Sequence, residues 1–117
     1  MKKLLWAFAP LLLASPLAHA AEGVNAYGVG ARTCGQFLED IGKGNAANKA
    51  IYATYIYGFL TGYNAYNQER QISTDLVEAT MIAYGNKYCS AFPLNLFSGV
   101  AMGLAVDLGG KPVPWKK

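Results

Sequence analysis

Apolar positions recur at helical spacing from Thr33 onward. Cys34, Phe37, Leu38 and Ile41 stand at i, i+3, i+4 and i+7, one face of a short first helix. Thr33-x-x-Gln36 has the form of a capping box, in which the hydroxyl and the amide satisfy free N–H groups of the first turn. Gly42 and Gly44 end this helix. A second periodic segment runs from about Asn48 to Gln68. At 100° per residue, Ile51, Tyr52, Tyr55, Phe59, Tyr63 and Tyr66 share a broad face, with Ile56 and Leu60 at its border. Thr54, Tyr57, Thr61 and Asn64 fall on the other side. Asp75-x-x-Glu78 reads as the cap pair of a third helix, with acid near the positive end of the helix dipole. Val77, Met81, Tyr84 and Tyr88 form its stripe, and Cys89 projects beside Ile82. Apolar groups surround this helix almost completely, so a central position is expected for it. Pro93 breaks the chain or opens the next helix at its first turn, and a fourth segment follows over Leu94 to Leu108, with Phe97, Val100, Ala101, Leu104 and Leu108 as its stripe and Gly109-Gly110 as its stop.

No alternating run of β-branched residues competes with these helices. The pattern predicts an all-α fold, a small four-helix domain over residues 33–110. Gly58 and Gly62 flank the second apolar stripe. Each costs about 1 kcal/mol of helix propensity relative to Ala, and close approach of another helix is the expected compensation. The tyrosines and asparagines around them exclude the membrane-dimer reading of G-x-x-x-G. The same glycines and the apolar excess make a homodimer an expectation.

The two ends of the chain read differently. Lys2 and Lys3 precede an apolar run from Leu4 to Leu13, and Ala18-His19-Ala20 has the small-x-small form of a cleavage site. The run is well short of the roughly 20 residues of a transmembrane span. Residues 1–20 are therefore expected to be a signal peptide cut after Ala20, with the product periplasmic and no membrane span left in it. Residues 21–32 are Gly-rich and aperiodic and read as an extended lead; residues 111–117 read as an extended basic tail.

Removing 20 residues from 117 leaves 97, the size of one small domain. The loss of Lys2 and Lys3 lowers the formal charge from +3 to about +1, and the remaining charges are scattered. Nucleic acid is not an expected partner, because it selects clustered Lys and Arg. Two cysteines in a secreted chain most simply pair, so Cys34 and Cys89 are expected to form a disulfide joining the first helix to the third; the other arrangement is two separate buried thiols. In the chain-entropy view a loop of this length is worth about 4 kcal/mol.

Enzyme chemistry finds little to work with. The one histidine, His19, leaves with the signal, and with it the commonest general base and metal ligand. Paired cysteines offer no thiolate. Ser73, Ser90 and Ser98 have no readable base partner, and Glu39-Asp40 and Asp75/Glu78 read as solvated faces or caps. Gly28-Val29-Gly30 lacks the strand–helix setting of a phosphate loop. A protein without catalytic activity, cofactor or metal is expected. The tyrosine-rich second helix is the unusual feature. Tyr55, Tyr63 and Tyr66 read as core residues with hydroxyls reaching the surface, while Tyr57, off the stripe near Asn64, is the candidate partner surface.

Thr33-Cys34-Gly35-Gln36-Phe37-Leu38 and Tyr88-Cys89-Ser90-Ala91-Phe92-Pro93 resemble the two cysteine motifs of the HdeA/HdeB family of periplasmic acid-stress chaperones. The order of elements is similar too, with a signal, a cysteine on a first helix, a long middle section, a cysteine near a helix end, a proline and a final helix. The Tyr- and Gly-rich middle section departs from that family's more charged one. A weaker resemblance is to the Rap/Tai-type immunity proteins of type VI secretion. The first resemblance implies a small dimer that loosens in acid and holds unfolded client proteins; the second implies a fixed surface that binds one secreted effector.

Overall fold

The computed structural model describes residues 24–109. The expected signal peptide and basic tail lie outside the described residues. Four α-helices follow a short 3-10 helix, Gly28–Ala31: α1 (Cys34–Gly42), α2 (Ala46–Tyr66), α3 (Glu78–Ala91) and α4 (Ser98–Gly109). No strand occurs among the described residues, which hold one isolated antiparallel bridge between Thr33 and Leu96. The all-α, four-helix reading therefore holds.

Local chemistry explains most helix ends. The Thr33 hydroxyl accepts from the Gln36 amide N–H at 3.1 Å, and the Gln36 side chain accepts from the Thr33 N–H at 2.9 Å, which completes the capping box of α1. Gly44 takes φ +68°, the left-handed conformation that lets the chain turn tightly between α1 and α2. Asn45 then caps α2 by accepting from the N–H groups of Ala47 and Asn48, so α2 starts two residues before the expected Asn48. α3 starts at Glu78 with Val77 as its cap residue, and Asp75 stays in the connector without a capping role. Of the two readings of Pro93, the chain break holds: it lies between α3 and α4 and does not open a helix. Residues 92–97 form a turn, and α4 begins at Ser98.

The core is aromatic at one end and aliphatic along its length. Phe37, Tyr52 and Phe97 meet in pairs with ring centroids 4.7–4.9 Å apart, within the favourable range for aromatic pairs. Ile56, Leu60, Met81, Val100, Ala101, Leu104 and Ala105 continue the buried cluster. α2 touches the 3-10 helix and every other α-helix. α3 is not central as expected: its buried residues are Met81, Gly85 and Cys89, and most of the rest is exposed.

The buried face of α2 is also rotated from the expected one. Tyr52, Ala53, Ile56 and Leu60 are buried, whereas Ile51 and Tyr66 are exposed. The helix is apolar nearly all round, so periodicity alone does not choose its inner face. A Cβ on Gly58 or Gly62 would meet nothing within 4 Å, so the expected close helix partner is absent from within the described fold. The tight contacts lie elsewhere. A Cβ on Gly85 would press on the Phe37 ring, and one on Gly30 would strike Tyr55. The lead is accordingly not simply extended: residues 28–31 coil and pack against α2 and α4.

Candidate functional site

Cys34, the first residue of α1, and Cys89, near the end of α3, are joined as a disulfide with Cα atoms 4.9 Å apart. Both are fully buried. The bond therefore ties the start of the domain to the end of its third helix across 55 residues. A disulfide is compatible with an oxidising compartment outside the cytosol.

Beside this staple lies a polar clasp. Arg32 from the lead donates to Asp40 Oδ2 on α1 at 2.7 Å, and the Tyr52 hydroxyl from α2 donates to the same oxygen at 2.6 Å. The Asn48 side chain adds a bond to the Asp40 carbonyl oxygen. One carboxylate thus joins three segments directly above the Phe37–Tyr52–Phe97 cluster. The bond from Tyr52 holds the Asp40 carboxyl below its ordinary range; burial works against this, and Arg32 and Lys43 add to it. Tyr52 is pushed up to about 12, first by burial and then by its bond to the carboxylate. Sequence reading missed this clasp, because its members come from three segments and each looks like an ordinary surface or core residue alone.

Tyr57 and Asn64, the candidate partner surface, lie together on the side of α2 that faces the connector of residues 67–77. The Tyr57 hydroxyl donates to the Leu76 carbonyl oxygen at 2.7 Å. The Asn64 side chain donates to the Ile72 carbonyl at 2.9 Å and accepts from the Ile72 N–H at 2.8 Å. Their polar atoms thus tether the connector. Tyr57 as a whole remains 43 % exposed.

The other carboxylates singled out have structural surroundings. Glu39 pairs with Lys43 one turn on, at 3.7 Å. Glu78 lies in the first turn of α3. Asp107, not singled out from sequence, accepts from the Tyr84 hydroxyl at 2.7 Å. Burial first, and then Asp107, raises the Tyr84 pKa. No group of three His, Cys, Asp or Glu side chains among the described residues has metal-binding geometry. None of the described helices is long and apolar enough to cross a membrane.

Comparison with protein-family models, curated proteins and solved structures finds no match. The function must therefore be read from the site itself.

Two surface features complete that site. An open groove of about 580 Å³ runs between α1 and α3, lined mainly by Leu38, Ile41, Ala79, Ile82 and Ala83, with Lys49 and Glu78 also on its walls. At the opposite end of α3, Phe92, Leu94 and Leu96 are exposed on the turn that precedes α4.

Proposed function

We propose that this chain is a non-enzymatic periplasmic binding protein of HdeA/HdeB-like type, exported with residues 1–20 removed after Ala20, that holds unfolded client proteins under acid stress. The observation that carries the reading is the Arg32–Asp40–Tyr52 clasp over the aromatic cluster. A carboxyl with a depressed folded-state pKa stabilises the fold above its unfolded value of about 4, and that contribution is lost as the pH falls through the lower folded value. Acid therefore releases Arg32 and Tyr52 from Asp40 and loosens the lead over Phe97 and Tyr55. Protonation of the seven carboxylates also raises the charge of the processed chain from about +1 toward +8, and self-repulsion opposes the compact state. The Cys34–Cys89 bond keeps the loosened chain from opening fully.

The test is light scattering of an aggregating client at pH 2–3 and at pH 7. Suppression confined to the acid arm is the expected result, and no suppression at several-fold molar excess removes the chaperone reading. Mass measurement of the exported product checks cleavage after Ala20.

A second reading, an immunity-type protein that binds one secreted effector, is favoured by Tyr57. Its hydroxyl is fixed by Leu76 while the residue stays half-exposed, and a rigid aromatic side chain is a typical interface anchor. A pull-down from periplasm separates the two readings. One tight partner at neutral pH supports the effector binder, and a broad client set at acid pH supports the chaperone.

A further inference from the structure

We infer that the groove between α1 and α3 is a binding site for a short apolar peptide with both termini free, whose carboxylate is taken by Lys49 and whose ammonium is taken by Glu78. This inference is independent of the chaperone and effector readings, neither of which involves the ends of a peptide chain.

The groove takes its form from the disulfide. Cys34 at the start of α1 is bonded to Cys89 near the end of α3, and a Cβ on Gly85 would touch the Phe37 ring, so the two helices run antiparallel. Glu78, Ile82 and Asn86 follow at i, i+4 and i+8 along one face of α3, with Ala79 and Ala83 beside them. The two alanines project only methyl groups, and Leu38 and Ile41 stand on the facing wall. The α3 face thus reads acid, aliphatic, amide, and spans roughly 12 Å at 1.5 Å per residue. An extended chain covers at most about 3.6 Å per residue, so about three residues fill that length. The volume of about 580 Å³ falls within the range of small-molecule sites, roughly 300–1,000 Å³.

The charges on its walls select the occupant. The ionic groups nearby on α1 are already paired: Asp40 with Arg32 at 2.7 Å, and Glu39 with Lys43 at 3.7 Å. Lys49 and Glu78 line one groove with opposite charges, yet neither forms an ion pair with the other or with any described residue. The Asn86 side chain likewise has no hydrogen-bond partner among the described residues. Lys49 is half-buried, so part of its aliphatic stem lies against the wall while its ammonium stays available.

Other ligand classes match only part of this wall. An alkyl anion satisfies Lys49 and leaves Glu78 facing its tail. A polyanion is repelled by Glu78. A metal ion finds a single carboxylate. A peptide with free ends carries both charges, separated by apolar side chains that suit Leu38, Ile41 and Ile82. Its main-chain amides match Asn86, whose side chain both donates and accepts. Bonds between ionised partners are roughly twice as strong as neutral ones, so the two ends supply the specificity. The interior of a long chain offers neither.

Amide NMR titration of the disulfide-bonded protein at pH 7 with the tripeptide Leu-Leu-Leu tests this. Binding with a Kd below about 1 mM is expected, with the shifts centred on Ile41, Ile82 and Asn86. N-acetylation or C-terminal amidation of the peptide should each weaken binding by at least about 10-fold, the scale of one hydrogen bond to a charged group. Free leucine carries both charges but cannot extend along the groove, and it should be weaker by a similar factor. Lys49→Gln and Glu78→Gln keep polar side chains, and unchanged thermal midpoints confirm that both variants fold. Lys49→Gln should lose the distinction between carboxylate and amide and keep that between ammonium and acetyl; Glu78→Gln should do the reverse. No binding at about 1 mM peptide overturns the inference. So does free leucine that binds as tightly as the tripeptide, or a variant that keeps the full end discrimination of the wild type. A peptide blocked at both ends that binds as well as the free one also overturns it, and leaves the chaperone reading standing, because unfolded clients present chain interiors.

Discussion

The two ends of α2 are secured in different ways. At its N-terminal end, Tyr52 sits within an aromatic cluster beside a buried disulfide and donates to a carboxylate that also pairs with Arg32. In its C-terminal half, Asn64 and, nearer the middle, Tyr57 hold an exposed connector by neutral bonds to the backbone of Ile72 and Leu76. The first end is covalent, aromatic and ionic, so it responds to reduction and to acid. The second is neutral and insensitive to both. On the proposed chaperone reading, opening in acid would therefore be set by chemistry at one end, while the connector sets only local mobility.

The largest effect expected is at the staple. Cys34→Ser removes the crosslink and is expected to destabilise the domain by about 2–5 kcal/mol, read from urea or thermal unfolding. The same loss should follow reduction of the wild type. Two free thiols in natively purified protein would erase the distinction between the ends.

Next is the clasp. Tyr52→Phe keeps the ring and deletes the hydroxyl, and a bond to a charged acceptor is worth about 1.5–3 kcal/mol. The loss should be present at pH 7 and shrink as the pH falls through the depressed Asp40 value, because the protonated carboxyl no longer gains from it. Unfolding measured at pH 7 and pH 2 checks this. An equal loss at both values would show that Asp40 gives this end no acid response.

The opposite end should behave in reverse. Asn64→Ala leaves the Ile72 backbone N–H and carbonyl without partners at a part-buried position, for an expected loss of about 1–3 kcal/mol. Its signature is pH-independent and local, a rise in hydrogen exchange at the Ile72 amide with Cys34 and Phe37 still protected.

How much of this was legible depended on range. The α1 cap was readable because Thr33 and Gln36 are three residues apart. The disulfide was readable because two cysteines in a chain read as exported have few alternatives. The inner face of α2 was not, because tyrosines, glycines and aliphatic residues take up most of its circumference, and the Thr54, Thr61 and Asn64 side is too narrow to orient it. The start of α3 was misplaced for a related reason. Asp75 and Glu78 have the spacing of a cap, yet Ile72 and Leu76 are drawn in against the core and hold the connector extended to Val77. The clasp depends on Arg32, Asp40 and Tyr52 converging from three segments, which no local pattern encodes. Tyr57 and Asn64 were correctly placed off the main stripe, but only the position of the connector reveals what their polar atoms hold.

The smallest effects, of opposite sign, come from glycines on two helices. At Gly85 a Cβ would stand 2.9 Å from the buried Phe37 ring. Overpacking of that kind costs about 1–3 kcal/mol, which outweighs the gain of up to ~1 kcal/mol from replacing a helical glycine. Gly85→Ala should therefore lower the thermal midpoint. At Gly58 a Cβ would meet nothing within 4 Å, so Gly58→Ala should raise the midpoint by the propensity gain alone. Melting both variants beside the wild type decides whether the exposed face of α2 is unencumbered. A Gly58→Ala protein that melts lower would mean that something packs closely on that face, and the comparison between the two ends of α2 would then have to include what covers its middle.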